Sequence, residues 1–124
     1  MVFAGAADAD NDYLSTVVAE ANDRWFHADK VPGSHVILRA RPDAEPSRET
    51  LKQAASVAAY HSKARNAGIV PVHCTRARHV SKPRGVKTGT VSVARGSTLK
   101  VRPDISFATR LRSTVKSESN NAAK

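Results

Sequence analysis

Residues 25–38 read Trp25-Phe26-His27-Ala28-Asp29-Lys30-Val31-Pro32-Gly33-Ser34-His35-Val36-Ile37-Leu38. Two apolar runs, Trp25 to Ala28 and Val36 to Leu38, flank a Pro32-Gly33 turn. Proline fixes φ and glycine tolerates φ > 0, so the pattern predicts strand, tight turn, strand. Side chains alternate faces along a strand, so Trp25 and His27 share one face, and His35 and Ile37 share one. Two imidazoles near one turn mark a candidate site.

Working outward, Asn22-Asp23 is a turn signal ahead of the first strand. Further upstream, Ala6 to Asp12 reads as an acidic loop, and Tyr13 to Glu20 as a short helix or a packed extended segment. Arg39 to Pro46, with two prolines, reads as a loop. Ser47 suits a helix N-cap, with Glu49 placed favourably in the first turn. The helix is predicted over about Arg48 to Asn66, with Gly68 just beyond its end. Leu51, Ala54, Ala55, Ala58 and Ser62 form one stripe of small side chains, which lets the helix axis approach a sheet closely. Lys52, Ser56, Tyr60 and Lys63 project from the other side. Tyr60 there is a platform for a base, a plain surface tyrosine, or a tyrosine packed under a loop.

Ile69 to Thr75 reads as a strand with Val70, Val72 and Cys74 on one face. Thr90 to Ala94 and Thr98 to Arg102 alternate apolar and polar residues around Arg95-Gly96-Ser97, which predicts a hairpin. The predicted fold class is α+β: a mostly antiparallel sheet with one main helix, about 48–66, packed on one face. Residues 1–104 form one domain, and 105–124 a basic, largely disordered tail.

The chain has 124 residues, enough for one domain with its own core. Its single cysteine, Cys74, excludes an internal disulfide and fits a reducing compartment. No apolar run nears the ~20 residues of a membrane helix. The acidic N-terminus resembles neither a secretory signal nor an Arg-rich transit peptide. A cytoplasmic location, with no membrane partner, is expected.

Net charge is +9, unevenly spread. Residues 1–62 carry −3, from six Lys/Arg and nine Asp/Glu, whereas residues 63–124 carry +12, from fourteen and two. This asymmetry points to a polyanion partner. Arg76, Arg78, His79, Lys82, Arg84 and Lys87 fall within twelve residues without an acid among them. An arginine fork can donate two hydrogen bonds to one phosphate, while lysine acts as a point charge. Lys30, Lys63 and Arg65 extend this candidate nucleic-acid-binding set, together with His27 and His35. The two histidines are read as structural or as donors to nucleic-acid edges, and imidazolium would aid phosphate binding below about pH 6.5. Trp25 and Phe26 are expected in the core, given so few large aromatics.

Other chemistries find less support. Five histidines and one cysteine lack the spacing of a tetrahedral metal site, so no metal or cofactor is expected. Adjacent Ser34 and His35 cannot easily pair as nucleophile and base. No Walker loop, dinucleotide fingerprint or carboxylate pair occurs.

The Trp25–Leu38 stretch resembles the signature of the NFACT-R domain, the C-terminal RNA-binding module of ribosome quality-control factors. Some members were once labelled fibronectin-binding proteins. The resemblance continues in order. It takes in Asn11 to Leu14, then the helix from Thr50-Leu51 to Arg65. Val70-Pro71-Val72 with Thr75 follows, then His79 to Lys87, and finally Gly89 to Val91 with Thr98 to Asp104. It covers about residues 5–104. The chain departs from the family pattern at Ala6 to Asp10, usually basic and asparagine-containing, at His73-Cys74, commonly Asp-Tyr, and at Thr88, a family proline. The strands that normally precede Gly5 are nearly absent.

The resemblance implies contact with rRNA or tRNA on the large ribosomal subunit during rescue of stalled translation. Full-length family members or ribosomal proteins are possible partners. Larger members recruit tRNA and extend the stalled chain. They carry an N-terminal domain and a coiled coil not seen here, so this module is expected to bind without catalysing that elongation. Two rivals stand beside this reading: a DNA- or general polyanion-binding protein, and a small hydrolase using His27, His35 and Ser34.

Overall fold

In the computed structural model, which describes residues 2–5 and 8–104, the Trp25–Leu38 stretch is an antiparallel pair at the centre of a sheet. Strand β2 (Arg24–Ala28) pairs with β3 (Val36–Leu38), setting Trp25 opposite Ile37 and Phe26 opposite Val36. Strand β1 (Val2–Ala4) joins the outer side of β3, β4 (Val70–Arg76) lies on the other side of β2, and β7 (Ser97–Val101) completes the order β1-β3-β2-β4-β7. All four pairings are antiparallel. The fold is α+β, as expected.

The two faces of the sheet are covered differently. Phe26, Val36, Leu38, Val70, Val72 and Cys74 point to one face and bury against helix α2 (Arg48–Tyr60). The helix meets them with Ala54, Ala55, Val57, Ala58 and Ala59, all fully buried. Methyl-sized side chains let it sit close, so the sheet's larger residues fill the space between. Ser47 caps it as predicted, its Oγ accepting from Thr50 N–H at 3.1 Å. Phe3, Leu14, Trp25 and Ile37 point to the opposite face, beneath Val18, Val80, Val91 and Val93. Trp25 and Phe26 are core residues on opposite faces, 3% and 0% exposed.

Four expectations need correction. First, α2 ends at Tyr60 and not at Asn66, because residues 61–63 leave the helix to bond the Pro32-Gly33 turn. Second, the acidic segment is not a loop from Asp8 onward. Helix α1 (Asp8–Tyr13) runs into a π-helical turn, Leu14–Val18, where Ala19 N–H reaches the Leu14 carbonyl at 2.8 Å. Third, residues 90–102 form no hairpin. Strand β6 (Ser92–Val93) pairs with β5 (Val80–Ser81), while β7 pairs with β4. Val91 and Val93 serve the Trp25 face, but Leu99 and Val101 serve the α2 face. One alternating pattern therefore feeds two cores. Fourth, the left-handed residue before β3 is Lys30, at φ 62°, and not Gly33. The expected basic tail, 105–124, lies outside the described residues. Among those described, no helix is long and apolar enough to cross a membrane.

Candidate nucleic-acid interface

The Pro32-Gly33 turn is fastened to the end of α2. Ser34 N–H donates to the His61 carbonyl at 3.1 Å, and Lys63 N–H donates to the Pro32 carbonyl at 2.9 Å. Gly33 faces Ser62 so closely that a Cβ at position 33 would lie 2.9 Å from Ser62 Cβ. Glycine is therefore needed here for space. The fastening sets Lys63 and Arg65 on an open groove of about 490 Å³, whose walls include Asp8, Ser34 and Tyr60. Lys30 stands exposed in the same β2–β3 connection.

A second basic group occupies residues 82–90. Lys82 Nζ donates to the carbonyls of Lys87 and Thr90, the latter at 2.7 Å, and lies 3.3 Å from Asp12 Oδ2. Gly89 N–H donates to the same carboxylate oxygen at 3.0 Å. That backbone hydrogen bond, and then Lys82, hold the Asp12 carboxyl below its ordinary range against a desolvation cost. The loop thus closes around an internal ammonium and latches onto α1. Arg84, Val86 and Lys87 stand exposed at its apex, around Gly85 at φ 85°.

The remaining predicted cations lie elsewhere. Arg76 sits at the far end of β4 and pairs with Glu45 at 3.4 Å, which also holds Arg24. Arg76 first, then Arg24, keeps the Glu45 carboxyl low. Arg78 reaches Asn22 Oδ1 at 3.5 Å, and His79 is half-buried in the 3-10 turn Ala77–His79. The predicted set is therefore divided. Lys30, Lys63 and Arg65 gather at one end of the sheet. Lys82, Arg84 and Lys87 lie across α1 from them. Arg76 and Arg78 lie at the opposite end of β2 and β4.

Pairing divides the set again. Among the described residues Arg24, Arg39, Arg41, Arg76 and Lys82 lie within ion-pair distance of carboxylates, whereas Lys30, Lys63, Arg65, Arg84 and Lys87 do not. A cation already neutralised by a fixed carboxylate has less to offer a phosphate. Sequence reading could not see this, since Glu45 and Asp12 lie 31 and 70 residues from their partners. Replacing Lys82 by Met removes the centre of the loop. Amide exchange at 82–90 is expected to quicken, with a stability loss on the order of 1–2 kcal/mol. Exchange at the native rate would mean the ammonium does not organise the loop.

His27 and His35 behave as interior groups. Their rings lie 5.3 Å apart, and Trp25 stacks on His27 at 6.0 Å. Buried His35 places Nδ1 2.7 Å from Ser15 Oγ, which also accepts from Trp25 Nε1 at 2.9 Å. The indole can only donate, so the Ser15 proton is free to meet a neutral His35 Nδ1. Burial, helped by the neighbouring His27, pushes His35 down to about 4, and burial also lowers His27. The expected gain of imidazolium contacts just below pH 6.5 is therefore corrected: burial keeps His35 neutral down to about pH 4 and holds His27 below its ordinary value. Ser34 Oγ donates to the Gly5 carbonyl, so it is not coupled to His35. Ser15 and His35 are both buried, at 5% and 2% exposure. No group of three or more His, Cys, Asp or Glu among the described residues could hold a metal ion.

The comparisons with known proteins agree with this architecture. Residues 1–95 match the family described as "NFACT protein RNA binding domain". Among curated proteins the chain is 40% identical over 111 residues to the Rqc2 homolog RqcH of Bacillus subtilis, covering 90% of this chain and 19% of that one. It is 39% identical over 103 residues to the Rqc2 homolog RqcH of Streptococcus suis, covering 83% and 18%. The chain thus spans about a fifth of the length of these relatives. A solved structure, the C-terminal of the fibronectin/fibrinogen-binding protein from Streptococcus suis, superposes with a TM-score of 0.79 at 36% identity, covering 88% of this chain and 43% of that one. This chain belongs to the NFACT-R family, the RNA-binding domain of NFACT proteins.

Proposed function

We propose that this chain binds RNA of the large ribosomal subunit or tRNA, and serves rescue of stalled translation as a binding module without catalysis. The observation that carries the reading is the division of its cations. Arg84 and Lys87 stand at the apex of a loop already braced by Lys82 and Asp12, and Lys63 and Arg65 flank a groove. All four are exposed, and none lies within ion-pair distance of a carboxylate among the described residues. Bracing reduces the ordering cost when phosphate is bound. His35, Arg76 and Lys82 are spoken for by internal partners and fall outside the proposed contact set. A large-subunit partner and a cytoplasmic location follow from the same reading, supported by the similarity to RqcH proteins.

Affinity for a structured RNA and for a matched DNA duplex across a salt series tests this. RNA is expected to bind more tightly. Equal affinities with equal slopes would favour general polyanion binding. Within that series, Arg84→Ala with Lys87→Ala is expected to weaken RNA binding and to lower the slope of log K against log salt by about 1–2. Exposed charges contribute little to folding, so stability should hold. An unchanged slope would remove the apex from the interface.

A further inference from the structure

Resting on that RNA-binding reading, we propose that the groove between the Pro32–Ser34 turn and the end of α2 takes a single unpaired nucleotide. Its base would stack against the Tyr60–Arg65 pair. The Arg65 guanidinium lies over the Tyr60 ring, 5.1 Å from its centroid, and the His61 ring meets Tyr60 edge-on, also at 5.1 Å. A planar guanidinium on an aromatic ring presents a second flat face, on which a base extends the stack.

Three polar groups of the residues lining the groove are already engaged. Ser34 N–H and Lys63 N–H are committed to His61 and Pro32, and Ser34 Oγ to Gly5. Recognition therefore falls to the side chains. Lys63 beside the stack suits a phosphate. Asp8, which also lines the groove, suits a hydrogen-bond donor instead. A carboxylate repels phosphate but accepts from an exocyclic amine or a ribose hydroxyl. Cation, flat platform and carboxylate around one groove match a nucleotide and not a bare phosphate. A base inside a duplex keeps its faces stacked on its neighbours, so an unpaired one is required.

Three RNA hairpins separate the possibilities by fluorescence anisotropy with the intact chain: one with a single bulged adenosine, the same with an abasic site at the bulge, and the same fully paired. The bulged form is expected to bind about 10-fold more tightly than either control. Tyr60→Ala should erase that preference, and Tyr60→Phe should keep it, both checked for native melting. Equal binding of all three hairpins would overturn the nucleotide groove and leave RNA binding intact. Failure of every hairpin to bind would overturn the RNA-binding reading and the groove with it. The abasic comparison needs no variant, so the outcome does not depend on Tyr60→Ala folding.

Discussion

Acidifying from pH 7 to pH 4 is expected to cost the fold about 3 kcal/mol through His35. The buried ring has its pKa pushed from 6.5 to about 4, chiefly by loss of hydration and next by His27. The Asn11 hydrogen bond and the Asp12 charge pull the other way and do not win. The unfolded chain takes up a proton near pH 6.5, and the folded chain does not until about pH 4. Stability is therefore full above pH 6.5, falls by about 1.4 kcal/mol per pH unit below it, and levels off below about pH 4. His27, lowered in the same direction, adds to the loss. Asp12 and Glu45 act lower, since their ordinary values are 3.8 and 4.5 and the fold depresses both. The interval from pH 6.5 to 5 thus isolates the histidines. Urea midpoints across it should fall for the native chain, and the fall should shrink in His35→Gln. An equal fall in that variant would place the acid sensitivity elsewhere.

The same residues show what a sequence discloses and what it withholds. The β2–β3 pair was legible because its apolar runs and turn residues lie within fourteen positions, where local rules act. Ser47 and the alanine stripe were legible for the same reason. The end of α2 was not. Residues 61–65 have good helical character, but hydrogen bonds to a turn some thirty residues earlier outweigh it. The false hairpin at 90–102 has a related cause. Alternation reveals that a strand has two faces, yet says nothing of which core each face meets. Residues 92–93 and 97–101 belong to different sheets.

The interface was legible as composition and not as geometry. Charge density singled out Arg76 to Lys87, and the fold divides that run among a carboxylate pair, an internal brace and an exposed apex. Lys82 and Lys87 look alike as letters. One is surrounded by two carbonyls and Asp12, and the other stands in solvent. Tyr60 was legible only as an ambiguity, and the Arg65 guanidinium over its ring gives that ambiguity a physical form.

Gly5→Ala is expected to destabilise the chain by about 2–6 kcal/mol, although it adds a single methyl group. Gly5 is buried at the end of β1, and a Cβ there would lie 2.0 Å from Asn11 Oδ1 and 3.0 Å from Asn11 N. The side-chain oxygen cannot simply swing away. It accepts from the His35 N–H at 3.0 Å, while Asn11 Nδ2 donates to the Gly33 carbonyl at 3.4 Å. Expelling Asn11 leaves a buried N–H without its acceptor, worth about 1–3 kcal/mol. Overpacking against its backbone adds about 1–3 kcal/mol more. The damage should spread along α1, because Asp12 follows Asn11 and latches the 82–90 loop through Gly89 and Lys82. RNA affinity should therefore fall with stability, even though Gly5 lies outside the proposed contact set. A double-mutant cycle locates the cause. Asn11→Ala alone loses the acceptor, but it also removes the atom that the added methyl group would strike. Gly5→Ala with Asn11→Ala should then be less destabilised than the sum of the single changes, by at least about 1 kcal/mol. Strict additivity, or a loss below about 0.5 kcal/mol for Gly5→Ala, would show that β1 and α1 have room to part and that Asn11 does not pin them.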